Sequence, residues 1–203
     1  MADKIVVMIS STILDLPQHR AEVKEACLQQ GMFPDMMEHL PASPLDAIRV
    51  SMEKVDKADL YLGVFGHRYG YVPGDHDISI TEMEYERAVN RGISRMIFVM
   101  HKDHLISIDD VDFEHRENLQ SLKNRLKAVN TINFFKSATD LRGLVVNSLA
   151  HYRSKCDEAK LKDAERIVEF FQEHTELSDL MKVSLKTVGP EGLSESDIGG
   201  QKE

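Results

Sequence analysis

The chain has 203 residues, a length that fits one domain or one domain with an extension. Its 34 acidic and 25 basic residues give a net charge of −9, which argues against a general nucleic-acid binder, because such proteins neutralise phosphates with lysine and arginine. No stretch approaches the roughly 20 apolar residues that span a bilayer, and residues 1–12 lack a basic leader and a cleavage site. With only Cys27 and Cys156, a disulfide scaffold is excluded, so we expect a cytoplasmic protein that binds neither nucleic acid nor membrane.

Strand-like and helix-like segments alternate along the first 150 residues, which predicts an α/β domain with a parallel sheet. The first strand, at 4–9, is an uninterrupted β-branched apolar run, typical of a strand buried on both faces. The second, at 32–37, contains Pro34, which favours an edge position because proline cannot donate a ladder hydrogen bond. Further strands are predicted at 59–65, 95–100 and 131–135, and helices at 15–30, 44–57, 81–91, 109–129 and from 137 onwards.

The composition changes near Tyr152, so we expect the α/β domain to occupy 1–152 and a helical extension to occupy 153–188. Within the extension, 155–174 predicts a second amphipathic helix. This helix could pack on its own domain, connect to another, or lie on a membrane surface, although its acidic residues oppose anionic lipid. Residues 189–203 contain four glycines and no apolar periodicity, which predicts a flexible tail.

Polar residues follow the predicted strands at the edge of the sheet where open parallel sheets bind ligands. Hydroxyls, a guanidinium, an aromatic ring and carboxylates at one edge suit a ribose, a base and a phosphate. The candidates are Ser10, Ser11, Thr12 and Asp15 after the first strand, Arg68 and Tyr69 after the third, and Ser79, Thr81, Glu82 and Glu84 before the next helix.

These residues also have structural interpretations. Residues 10–15 could cap the first helix, and Thr81 with Glu84 has the spacing of a capping box. Arg68 could form an ion pair with Glu82 or Glu84. The sequence contains neither a P-loop nor a dinucleotide fingerprint, and its histidine and aspartate clusters make no complete ligand set, so we expect no metal.

Four segments carry a resemblance to a known family. They are ISSTILDLPQHR (9–20), GMFPDMMEHLPAS (31–43), ADLYLGVFGHRYGYVP (58–73) and SITEMEYERA (79–88). Together they resemble an uncharacterised domain family that is similar to TIR domains and, more distantly, to nucleoside 2-deoxyribosyltransferases. The resemblance covers about residues 3–150, and it implies a flavodoxin-like, three-layer domain with a five-stranded parallel sheet.

The resemblance also implies a role for Glu84. In deoxyribosyltransferases and NAD-cleaving TIR domains, one glutamate near a helix start acts at the anomeric carbon of the sugar, and residues 79–88 place Glu84 there. Ser10 and Ser11 would then contact the nucleotide, while Arg68 and Tyr69 would flank phosphate or base. Glu82 could bind a ribose hydroxyl or Arg68. The large Glu86 and Arg87, where the transferases have a small residue, depart from the transferase pattern.

Three functions remain open from the sequence. The first is hydrolysis of the N-glycosidic bond of NAD or a related nucleotide, in bacterial defence or stress signalling, with the nucleotide as substrate and no separate cofactor. The second is a non-catalytic module that binds a nucleotide or protein and assembles, with itself or a partner, through its helices. The third is a nucleoside deoxyribosyltransferase.

Overall fold

A five-stranded sheet forms the middle of the domain in the computed structural model, which describes residues 4–38 and 43–174. All neighbouring strands are parallel, and their order is β2-β1-β3-β4-β5. This order is that of flavodoxin-like, doubly wound domains, so the predicted fold class is confirmed. The strands are β1 (Val6–Ser11), β2 (Phe33–Met36), β3 (Leu60–Phe65), β4 (Ser94–Met100) and β5 (Ile132–Phe135).

Helices cover both faces of the sheet and make it the central of three layers. They are α1 (Pro17–Gln29), α2 (Pro44–Lys57), α3 (Ile80–Asn90), α4 (Arg116–Val129) and α5 (Ala138–Glu173). Alternate side chains of β1 enter different cores: Val7 and Ile9 pack with α1 and α5, whereas Met8 packs with α2, α3 and α4. The continuous apolar runs of the central strands follow from this double coverage. β2 lies at one edge of the sheet, as Pro34 predicts.

Two predicted helices differ from those observed. The helix expected over 109–129 begins only at Arg116, after a 3₁₀ turn at Ile108–Asp110. The carboxylate of Asp112 accepts hydrogen bonds from the backbone N–H groups of His115 and Tyr69, and these bonds hold residues 111–115 as a loop. The two helices expected from 137 and over 155–174 form one continuous helix, α5, because no proline interrupts it.

By internal contacts the chain divides into 1–152 and 153–203. The second unit is described as far as residue 174, and these residues continue α5 with mostly exposed side chains. Residues 175–188 of the expected extension, and the tail expected at 189–203, lie outside the described residues. Among the helices of the described ranges, none is long and apolar enough to cross a membrane.

Candidate functional site

A cavity of about 430 Å³ opens at the carboxyl edge of the sheet. Segments that follow β1 and β3 form its walls together with the start of α3. Strands β2 and β3 lie on opposite sides of β1, so the strand order reverses beside β1. Folds of this kind bind ligands at the carboxyl edge of the sheet at this position. Its polar lining includes Ser11, Thr12, Arg20, Arg68, Thr81 and Glu84.

Glu84 lies in the second turn of α3 with only 5% of its surface exposed, and it lines the cavity. Its carboxylate accepts a hydrogen bond of 2.5 Å from the Oγ of Ser10, the buried fifth residue of β1. Ser79 caps α3, because its hydroxyl accepts the backbone N–H of Glu82 at 3.2 Å. The helix therefore begins at Ile80, and this start sets the position of Glu84 along it. Thus the predicted Thr81–Glu84 capping box is wrong: Ser79 is the N-cap, and Thr81 faces the cavity.

Burial raises the pKa of Glu84 above its usual value of 4.5. The hydrogen bond from Ser10 and the positive charges of Arg20 and Lys54 act in the opposite direction, but burial prevails. The carboxyl group therefore keeps its proton to a higher pH than an exposed glutamate does. Such a group suits chemistry in which a carboxylate meets a developing positive charge away from water.

Arg20 is a site residue that the sequence reasoning did not single out. Its guanidinium donates to the Oγ of Ser11 at 2.7 Å, to the carbonyl of Ser11 at 3.1 Å and to the carbonyl of Met37. The signal was present in α1, because Arg20 falls on the same helical face as the buried Leu16 and Val23. A buried arginine on an apolar stripe requires acceptors nearby.

Asp15 joins the two loops that form the cavity wall. Its Oδ2 accepts the backbone N–H groups of His67 at 3.1 Å and Arg68 at 3.2 Å, and its Oδ1 accepts the Thr12 hydroxyl. A Cβ at Gly66 would lie 2.5 Å from Oδ2, so glycine permits this close approach. The expectation that residues 10–15 cap α1 is wrong: among the described residues no side chain caps that helix.

Arg68 lines the cavity, and its Nη1 donates to the carbonyl of Asp109 at 3.2 Å. Of the two carboxylates expected as its partner, that of Glu82 instead binds Arg125 of α4 and accepts the hydroxyl of Tyr69, and that of Glu84 accepts the hydroxyl of Ser10. Tyr69 is 1% exposed and Glu82 is 3% exposed, so both stand behind the cavity wall. Gly70, with a φ of +97°, then turns the loop against the first turn of α3.

The ten predicted residues therefore fall into two groups. One group lines the cavity, and the other supports the lining through hydrogen bonds inside the protein. The first comprises Ser11, Thr12, Arg68, Thr81 and Glu84, and the second comprises Ser10, Asp15, Tyr69, Ser79 and Glu82.

The loop before α4 adds Asp112 and His115 to the cavity wall. The Oδ1 of Asp112 accepts the backbone N–H of His115 at 3.0 Å and lies 3.3 Å from its Nδ1. The ring of Tyr69 stacks on that of His115, with centroids 5.9 Å apart. The sequence prediction missed both residues because it placed them inside a helix, and the only signal for a loop was the aspartate-rich composition of 109–112.

Among the described residues, neither a metal cluster nor the Cys27 thiol offers a further centre of chemistry. Within 4–38 and 43–174, no group of three or more histidine, cysteine or acidic side chains is placed to hold a metal ion. Burial raises the pKa of the Cys27 thiol to about 12, which keeps it protonated and unreactive.

Comparison with known proteins identifies a family and finds limited similarity to solved structures. The model of a family described as "Domain of unknown function (DUF4062)" matches residues 6–150. A CMP N-glycosidase, BcmB, from Clostridium botulinum is 15% identical, with 68% of this chain and 97% of that chain covered and a TM-score of 0.39. A TIR domain from the heterodimer of RPS4 and RRS1 is 12% identical, with 73% and 97% covered and a TM-score of 0.48. No curated protein matches the chain.

Proposed function

We propose, for a chain that belongs to the family described as "Domain of unknown function (DUF4062)", that the cavity binds a nucleotide and that the protein hydrolyses its N-glycosidic bond. The substrate class is NAD or a related nucleotide, and Glu84 acts at the anomeric carbon. The observation that carries this proposal is the buried carboxylate of Glu84 in the cavity wall, at the position where the strand order reverses.

The chemistry needs a carboxylate beside the sugar. As the C1′–N bond breaks, the base leaves with the bonding electron pair and C1′ becomes positive and oxocarbenium-like. The carboxylate of Glu84 stabilises that charge or forms a C1′–O bond, and water then supplies the new hydroxyl. The Ser10 hydroxyl, 2.5 Å from Oε2, fixes the orientation of the carboxylate.

The remaining cavity wall suits the rest of a nucleotide. Its apolar part, which includes Leu14, Met37, Tyr71 and Ile80, offers contact for a base and a sugar. Arg68 supplies a planar cation at the same wall, which favours a phosphate or pyrophosphate group. The volume of about 430 Å³ lies within the range of about 300–1,000 Å³ typical of small-molecule sites.

One observation favours a second candidate, a nucleotide-binding module without catalysis. The Ser10–Glu84 hydrogen bond is also the contact that a purely structural buried carboxylate would make. In this alternative the ligand occupies the same cavity, and its binding alone is the signal. In either case we propose assembly with a second copy or a protein partner through the helices, and a role in defence or stress signalling in the cytoplasm, where the two free cysteines stay reduced.

The test is incubation of the purified chain, at high protein concentration, with NAD, nucleoside monophosphates and nucleosides, followed by chromatography of the released base. Wild type should release base, and Glu84→Gln should not. Glu86→Gln, a change in the same helix at a side chain that pairs with Arg125 rather than lining the cavity, is the matched control and should stay active.

Two results would redirect the proposal. If wild type and Glu84→Gln are both silent while a nucleotide still raises the melting temperature, the binding module replaces the enzyme. Transfer of deoxyribose between free bases, without hydrolysis, would instead indicate a deoxyribosyltransferase.

A further inference from the structure

Asp112 and His115 form a carboxylate–imidazole pair in the wall of the same cavity. An ionised carboxylate has no proton to donate, so the Nδ1 of His115 carries the hydrogen and donates it to Asp112. Although burial alone would raise it, the pKa of Asp112 is lowered, because the carboxylate accepts the backbone N–H groups of His115 and Tyr69. This tautomer leaves the Nε2 of His115 as a lone-pair acceptor.

Tyr69 and Asp112 hold the imidazole of His115 in place. The ring of Tyr69 stacks on it at an interplanar angle of 28°, and the Tyr69 hydroxyl donates to Glu82, which binds Arg125. The backbone N–H of Tyr69 donates to Asp112 at 3.3 Å. This chain of contacts fixes the ring plane, although the side chain of His115 remains 31% exposed.

His115 and Glu84 reach the cavity from different segments of the fold. Glu84 comes from α3, while His115 stands at the start of α4. One ligand in the cavity can therefore contact both a carboxylate and an imidazole. The ionisable groups around the imidazole are Asp112 and Tyr69 in contact with it, and Arg20, Arg68, Glu84 and Glu114 on the cavity wall.

We propose that His115 is a second catalytic residue, the general base that activates water after the base has left, with Asp112 as its positioning residue. This inference rests on the proposed glycosidic activity. The Nε2 of His115 takes a proton from water as the water oxygen bonds to C1′. If C1′ is esterified to Glu84, the C1′–O bond breaks and its electron pair returns to the carboxylate. The proton then passes to the released base or to solvent, which completes the hydrolysis.

The experiment compares wild type, His115→Gln and His115→Ala on the nucleotide that wild type cleaves best. His76→Gln, in the exposed loop before α3, is the matched control. A lost general base should lower kcat about 100-fold or more and leave KM within about threefold. Added imidazole should restore part of the kcat of His115→Ala, in proportion to the concentration of neutral imidazole. A structural role of His115 would not produce this response.

Asp112→Asn should lower kcat by a smaller factor than His115→Gln, with the melting temperature as the check on folding.

Three outcomes would overturn the inference. If His115→Gln keeps the kcat of wild type while Glu84→Gln is silent, this inference fails and the glycosidic proposal stands. A folded His115→Ala that is inactive and not rescued by imidazole assigns His115 a structural role. If wild type itself releases no base from any of the nucleotides, both proposals fail together.

Discussion

Two buried carboxylates in one helix have opposite surroundings. Glu82 and Glu84 lie two residues apart in α3, which places them on opposite faces of the helix, and they are 3% and 5% exposed. The carboxylate of Glu82 binds the guanidinium of Arg125 and the hydroxyl of Tyr69. That of Glu84 accepts a hydrogen bond from the Ser10 hydroxyl, has no ion pair among the described residues, and stands in a cavity wall.

This difference separates a structural carboxylate from one available for chemistry. A buried charge with a bound guanidinium is compensated inside the protein and has no need of a ligand. Arg20 and Lys54 lower the pKa of Glu84 through their charge, yet Arg20 gives its hydrogen bonds to Ser11 and the Met37 carbonyl. The uncompensated part of the burial cost appears as the raised pKa of Glu84, and a cationic sugar centre would offset it.

The largest expected effect is on turnover. Glu84→Gln should lower kcat about 1,000-fold or more, because the amide can neither trap nor stabilise the positive C1′. Glu82→Gln should keep kcat within about tenfold and lower the melting temperature instead. Steady-state base release and a thermal melt of both variants measure the two effects, and equal losses of kcat would erase the distinction between the carboxylates.

A smaller effect is expected from the partner of Glu82. Arg125→Met leaves the buried Glu82 charge without its guanidinium and should reduce the free energy of unfolding by about 1–3 kcal/mol, a value discounted because Arg125 is half exposed. Urea denaturation at neutral pH gives the difference. Arg49→Met, which removes two exposed ion pairs in α2, is the control and should leave the free energy of unfolding nearly unchanged.

The pH dependence of the free energy of unfolding tests the raised pKa of Glu84. Because its pKa is raised in the folded state, folded protein binds more protons than unfolded protein once the pH exceeds about 4.5. The stability tied to this group is complete below that pH and is lost as the pH rises through the folded pKa, at no more than about 1.4 kcal/mol per pH unit. Glu84→Gln should therefore gain stability relative to wild type as the pH rises above about 4.5. A difference in the free energy of unfolding that stays constant over this rise, measured by chemical denaturation, would contradict a raised pKa.

The smallest effect is expected at Ser10. Ser10→Ala removes the hydroxyl that favours the charged form of Glu84, so the pKa of Glu84 should rise further. The acidic limb of the activity profile should move to higher pH, and unfolding should become easier by about 1 kcal/mol. A profile that keeps its wild-type position would mean that the 2.5 Å contact does not act on the carboxylate.

The regular part of the site was predictable from the sequence. Apolar runs located the strands, Pro34 marked the edge strand, and the alternation of strands and helices implied which loops meet at the carboxyl edge. Glu84 followed from the family resemblance of residues 79–88. Local capping rules would have assigned it to a box with Thr81, whereas the N-cap is Ser79, two residues earlier.

The rest depended on tertiary contacts. The packing of α4 decides that Glu82 pairs with Arg125 and not with Arg68. Arg125 is 43 residues away from Glu82 in the sequence. The segment at 109–115, expected inside a helix, is a 3₁₀ turn followed by a loop, because Asp112 accepts the backbone N–H of Tyr69, a long-range contact. His115 lines the cavity because this loop ends at the cavity wall.

The most direct test of the central claim is the release of free base from NAD or a nucleoside monophosphate by wild type, Glu84→Gln and Glu82→Gln, with the base and the sugar product quantified together. We expect equimolar base and hydrolysed sugar from wild type and from Glu82→Gln, and neither from Glu84→Gln. Release that persists in Glu84→Gln at the wild-type rate would contradict the assignment of Glu84 as the residue that acts on the sugar.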